Sequence, residues 1–115
     1  MPLLPRMAVN GARTEWRVKH CSTFASRALG RLGASRTVAA HAWKLRPCRA
    51  VHTFFLAAPI DVVFCDARGS VLRIVAPLRP WRCAVHGAAH ITWEFPAGDV
   101  ARTGLKCGDR LTVCR

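Results

Sequence analysis

The sequence predicts an α+β fold: a small β-rich single domain of about five mostly antiparallel strands with two short helices. Three observations carry this expectation. The chain has 115 residues, 51% of them hydrophobic, which suffices for one core and is too short for two. Thr14-Glu-Trp-Arg-Val-Lys-His20 alternates apolar with polar residues, the period of a half-buried strand. Finally, Ile60-Asp-Val-Val-Phe-Cys65, the turn Asp66-Ala-Arg-Gly69 and Ser70-Val-Leu-Arg-Ile-Val75 read together as a β-hairpin.

Residues 1–13 hold two prolines, the turn pair Asn10-Gly11 and no periodicity, so they read as a flexible leader before a domain over 14–115. From Thr14 the pattern alternates, with Trp16 and Val18 on one face and Glu15, Arg17 and Lys19 on the other, the signature of a half-buried strand. Ser22 or Thr23 caps a predicted helix to about Leu32, whose apolar face is Phe24, Ala28, Leu29 and Leu32 and whose stop is Gly33. A short strand over Val38–Leu45 ends at Arg46-Pro47-Cys48-Arg49, because proline cannot donate to a central ladder. In the hairpin, Asp66 accepts bonds from its own turn and Gly69 supplies a positive φ. A loop rich in Pro, Arg and Trp follows from Pro77 to about Gly87, then a strand over Ala89–Phe95. Pro96-Ala-Gly98-Asp99 opens a short helix with Asp99 as N-cap and Gly104 as its stop. A turn at Lys106-Cys-Gly108-Asp109 leads to the last strand, Leu111–Cys114.

The formal charge is +12, from 18 Lys and Arg against 6 Asp and Glu. Ten cations and one anion, Glu15, fall in residues 1–60, so the positive field is concentrated early. Such a bias favours nucleic acid, acidic proteins or anionic surfaces as partners; it is equally what scattered Arg on ordinary solvent-facing positions produces. The longest apolar run, Phe54–Ile60, is seven residues, well under the roughly 20 that a spanning helix needs. Met1-Pro-Leu-Leu-Pro-Arg-Met lacks the charged region and apolar core of a signal peptide, and the expectation is a cytoplasmic protein. The six cysteines contain no Cys-x-x-Cys pair and are read as reduced.

From Pro47 onward the order of residues becomes specific: Pro47-Cys48, His52-Thr53, Pro59-Ile-Asp-Val-Val-Phe64, Asp66, Gly69 and Pro80-Trp-Arg82. Pro96-Ala-Gly98, Gly104-Leu105 and Gly108-Asp-Arg-Leu111 continue the series. Each piece is common alone. Their order and spacing resemble the bacterial and archaeal family called domain of unknown function 192, over roughly residues 22–114. That resemblance implies a compact β-rich domain, members that are often exported, and no established activity. Where the family often carries Met and Lys-Asn-Thr this chain has Thr53-Phe-Phe-Leu56, and Trp93 stands in place of an aliphatic.

Asp61 lies in an otherwise apolar strand, and a carboxylate there must be hydrogen-bonded or paired. One reading has it locking a loop through backbone N–H groups or an Arg; the other gives it a catalytic or metal role. Asp66 and Asp109 are turn formers, with Gly69, Gly98, Gly104 and Gly108 at turns and caps. Cys48, His52, Cys83 and His86 can be drawn as a zinc site, but structural sites usually group their cysteines and their histidines separately, and packed thiols are the plainer reading. Cys48 activated by His52, with Asp61 orienting it and Arg46 and Arg49 lowering the thiol pKa, would make a nucleophile, yet no cysteine-hydrolase signature surrounds it. Trp81, between Pro80 and Arg82 with Arg79 before, suits base stacking or phosphate clamping, or simply anchors the loop.

The function expected is therefore a noncatalytic ligand- or protein-binding module with a surface around Cys48, His52, Asp61, Pro80, Trp81 and Arg82, and no cofactor or metal. Two alternatives stand beside it: nucleic-acid binding through Arg, and an enzyme built on Cys48, His52 and Asp61. The enzyme requires those three side chains to converge within hydrogen-bond reach.

Overall fold

Asn10 and Gly11 both have positive φ, 51° and 86°, the backbone of a two-residue hairpin turn that joins β1 (Arg6–Val9) to β2 (Ala12–Cys21). The structure, a computed structural model, describes residues 4–21, 41–54 and 58–114. The remaining strands are β3 (His41–Leu45), β4 (Ala50–His52), β5 (Ile60–Cys65), β6 (Val71–Leu78), β7 (Cys83–Val85), β8 (Ile91–Pro96) and β9 (Leu111–Cys114), with one described helix, α1 (Asp99–Thr103). The helix expected over Ser22–Leu32 lies outside the described residues.

Seven strands form one sheet in the order β6-β5-β8-β3-β2-β1-β9, and β4 and β7 pair in a separate ribbon. The sheet is mixed, since β2 and β3 run parallel while the other pairs are antiparallel. Among the described residues nine strands, in a mixed sheet and a ribbon, thus replace the five mostly antiparallel ones expected. The difference has local causes. β4 and β7 are three residues long, too short for a period-two signal, and β7 falls within the expected Pro77–Gly87 loop. β1 lies inside the expected leader: Met7 is fully buried, and β1 pairs with both β2 and β9. In the turn after β5, the Asp66 carboxylate accepts the Arg68 and Ser70 amides at 2.9 and 3.0 Å, and Gly69 has φ 91°, as the sequence predicts.

The two ends of the sheet touch. Ser70 bridges Arg110, the Leu111 amide donates to Gly69 at 2.8 Å, and the Val71 amide donates to Asp109 at 2.8 Å. The sheet therefore curls on itself as a barrel does. Its inner face holds a core drawn from every strand of the sheet, including Met7, Trp16, Val18, Val63, Trp93 and Phe95, and Val100 and Leu105 close it from α1 and the following loop. A second core lies on the outer face, where Trp43, Leu45, Ile60, Val62 and Phe64 are covered by the ribbon. Among the described residues, no helix is long and apolar enough to cross a membrane.

Candidate functional site

Register decides what the ribbon shows. Ala50 pairs with Val85, Val51 with Ala84 and His52 with Cys83. Directly opposed residues share a face and successive ones alternate, so Val51 and Ala84, both buried, pack into the outer core while Ala50, His52, Cys83 and Val85 turn outward. Val85 is 57% exposed.

The outward face continues as a ladder of rings. His52 stacks on Phe54 with centroids 4.8 Å apart and planes 29° apart, and Phe54 stacks on Trp81 at 5.7 Å and 25°. The Phe54 amide donates to His52 Nδ1 at 3.3 Å, which fixes that nitrogen as an acceptor. Phe54 is 40% exposed and Trp81 55%. Trp81 also has φ 61°, a left-handed conformation that a bulky residue rarely adopts.

Thr53 imposes that conformation. It is fully buried beneath the ladder, and its hydroxyl donates to the Arg79 carbonyl at 2.5 Å while accepting the Arg82 amide at 2.9 Å. Its backbone completes the clamp: the Thr53 amide donates to Arg82 at 2.8 Å and its carbonyl accepts the Trp81 amide at 3.1 Å. The turn over 79–82 is thus tied at both ends to one residue, and the indole is held on the surface. Arg79 and Arg82 are exposed beside it, Pro80 is half-buried, and Arg73 Nη1 donates to the Val85 carbonyl at 2.9 Å on the ribbon edge.

Of the surface residues expected from the sequence, His52, Pro80, Trp81 and Arg82 come together. Cys48 and Asp61 do not. Cys48 is buried in the outer core, its thiol donates to the Ala50 carbonyl at 3.2 Å, and its carbonyl accepts the Thr92 hydroxyl at 3.0 Å. Asp61 alternates with Ile60 and Val62, which pack in the outer core with Cys48, so its side chain lies on the opposite, inner face of the sheet. There Oδ2 accepts the Gly98 and Val100 amides at 3.0 Å each. The triad of Cys48, His52 and Asp61 is therefore not assembled, and Asp61 has the loop-locking role. The zinc set is also not assembled: His52 and Cys83 are opposed, but Cys48 is sealed below, and no three His, Cys, Asp or Glu cluster among the described residues.

Asp61 does what Asp99 was expected to do. The N-cap of α1 is Gly98, with φ 95° and no side-chain cap of its own, and Asp99 is the first helical residue. Asp99 instead accepts Trp16 Nε1 at 3.2 Å and pairs with Arg102. Gly104 ends the helix at φ 72°, its amide donating to Val100, and Gly108 turns at φ 94°. Asp109 accepts the Lys106 amide at 3.0 Å and Asn10 Nδ2 at 3.1 Å; the Lys106 amide and the Asn10 side chain hold its carboxyl below the ordinary 3.8.

Two further groups among the described residues are shifted by burial. Burial, and then Asp66, push the Cys65 thiol up to about 12, which leaves it protonated and a poor nucleophile. Burial and then Arg46 lower the Lys44 ammonium, whose Nζ sits 5.7 Å over the Trp93 ring. Trp93 Nε1 and His86 Nδ1 are buried without hydrogen-bond partners. Sequence reasoning missed Phe54 and Thr53: the phenylalanines read as core, and the hydroxyl's role depends on a turn 26 residues away.

The family model DUF192, described as an uncharacterized ACR, matches residues 6–113, which extends the resemblance back to the first residue of β1. A protein of unknown function from Novosphingobium aromaticivorans has a similar structure, with a TM-score of 0.78 at 22% identity over 96% of this chain and 84% of that one. A Sinorhizobium meliloti protein described as a candidate transcription regulator has a TM-score of 0.80 at 18% identity over 95% of this chain and 92% of that one. At these identities the likeness is one of fold. No curated protein matches the chain.

Proposed function

We infer that this chain, which belongs to the DUF192 family, is a noncatalytic binding module whose contact surface is the outward face of the β4–β7 ribbon with the adjoining 79–82 turn. The observation that carries this reading is Trp81. An exposed indole at φ 61° costs backbone energy that the fold has no need to spend, since glycine or asparagine fits such a turn better. Thr53 is committed to holding it there. A strained, exposed aromatic with a buried support is what a pre-organised contact requires, because ordering is completed before the partner arrives. The noncatalytic reading is supported by the separation of Asp61 from Cys48 and His52 across the sheet and by the sealed thiol of Cys48.

The test is amide chemical-shift mapping of the labelled protein with indole and, separately, adenosine as probes. Shifts confined to residues 52–54 and 79–85, and reduced by Trp81→Ala, are expected. Shifts spread evenly over the surface, or concentrated elsewhere, would remove the reading.

A further inference from the structure

We propose that the ribbon face is a stacking platform for single-stranded nucleic acid, with the exposed indole of Trp81, backed by the Phe54 and His52 rings, taking an unpaired base and the flanking arginines taking phosphates. The proposal rests on reading this face as a contact surface and names what occupies it. Two independent features meet there. The first is geometric: His52 stacks on Phe54 at 29° and Phe54 on Trp81 at 25°, and the indole is 55% exposed. Every base presents a π-face, so such a ladder accepts any sequence, whereas bases in a duplex are already stacked and shielded. The second is electrostatic. Residues 41–60 and 67–93, which supply both strands of the ribbon, the ladder and the turn, contain no Asp or Glu. Arg79 and Arg82 flank Trp81, Arg49 precedes β4 and Arg73 is pinned to the ribbon edge, all exposed.

The charge also decides against other occupants. A second copy of the chain would bring the same arginines against themselves, with a net charge of +12 on each partner. An acidic peptide satisfies the arginines but offers a ring only where it happens to carry an aromatic residue. A chain of alternating bases and phosphates satisfies both, and the 2′-hydroxyl of RNA distinguishes its two forms.

Fluorescence anisotropy of labelled oligo(dT) and oligo(U) of about ten nucleotides, with a duplex of equal length, tests this over about 50–300 mM KCl. Single strands are expected to bind at least tenfold tighter than the duplex. With Arg73 engaged by the Val85 carbonyl, phosphate contacts from Arg49, Arg79 and Arg82 at about 0.7 each give a slope of log K against log salt near −2, and the double variant Arg79→Ala/Arg82→Ala brings it to about −0.7. Trp81→Ala is expected to weaken binding on the order of tenfold to a hundredfold at unchanged slope, with Trp81→Phe recovering most of it. Both Trp81 variants are checked for native thermal unfolding, and the exposed position makes misfolding a separable outcome. Equal affinity for duplex, or no effect of Trp81→Ala, overturns the proposal. So does preferential sedimentation with phosphatidylglycerol/phosphatidylcholine vesicles, which would make the face a membrane contact. If indole still maps to residues 52–54 and 79–85 while neither oligonucleotide binds, only the nucleic-acid occupant falls; if neither probe nor oligonucleotide binds, the contact surface falls with it.

Discussion

The strained turn at Trp81 is tied by the backbone and hydroxyl hydrogen bonds of a single threonine, Thr53. At most exposed positions glycine is less stable than alanine, because it has more freedom to lose on folding. At φ 61° the order reverses, since any side chain bearing a Cβ meets the left-handed penalty of about 1–2 kcal/mol. Trp81→Gly is therefore expected to be more stable than Trp81→Ala by about 1 kcal/mol, read as the difference in urea midpoint multiplied by the common slope. Alanine equal to or above glycine would mean that the turn relaxes when the ring is gone. Much of this residue-level picture was hidden in the sequence. Pro80-Trp-Arg82 is visible as a cationic aromatic motif, and it does lie on the surface. What makes the motif a built structure is Thr53, and nothing in the string links a threonine before Phe54 to carbonyl and amide groups at Arg79 and Arg82.

Among the elements, α1 depends on a residue that is not its neighbour. Five residues form too few internal bonds to be stable alone. The Asp61 carboxylate supplies the missing acceptors for two of its N-terminal amides, 37 and 39 positions along the chain. Asp61→Ala leaves those amides without a partner and is expected to cost roughly 2–4 kcal/mol, with Asp61→Asn costing less, since its one carbonyl oxygen can still accept both amides but without the charge. Hydrogen exchange at Gly98 and Val100 locates the effect: fast exchange there with the strands still protected is the expected pattern. The β5–β6 turn is the opposite case, legible because its chemistry is local. Asp66 and Gly69 are where a hairpin turn needs them. The turn also meets β9 in a way the sequence conceals, since a Cβ on Gly69 would lie 2.2 Å from the Leu111 carbonyl oxygen. Gly69→Ala thus combines left-handed strain with a backbone clash, and a loss of at least about 2 kcal/mol in denaturant unfolding is expected. A smaller loss would show that the two ends of the sheet separate easily.

Closure of the sheet governs the molecule as a whole. β6 and β9 are first and last in the sheet, and the contact between their ends is held by the turn around Asp109, to which Asn10 and Lys106 both donate. The Asp109 carboxyl is held below the ordinary 3.8 in the folded state, so its contribution is present above that value and is lost as pH falls through it toward the lower folded value. Asp109→Asn is accordingly expected to be less stable than the parent at neutral pH, with the gap closing as urea midpoints are followed from about pH 5 to pH 2. A gap independent of pH would assign the effect to geometry alone. At this scale the sequence by itself determined a small β-rich domain, the alternating faces of β2 and the β5–β6 hairpin, and the family through ordered short motifs. Each of these is written in adjacent residues, where period and turn chemistry act. Asn10-Gly11 belongs in the same class, a hairpin signal present in the string, although the aperiodic residues before it read as a leader. Only the tertiary structure decided the parallel pairing of β2 with β3, the closure of β6 on β9, and the faces to which Asp61 and Cys48 belong. It also decided the pairing of two three-residue strands into the ribbon that carries the ring ladder. Those outcomes depend on contacts between residues far apart in sequence, whose energies come from burial and hydrogen-bond geometry that no local pattern encodes.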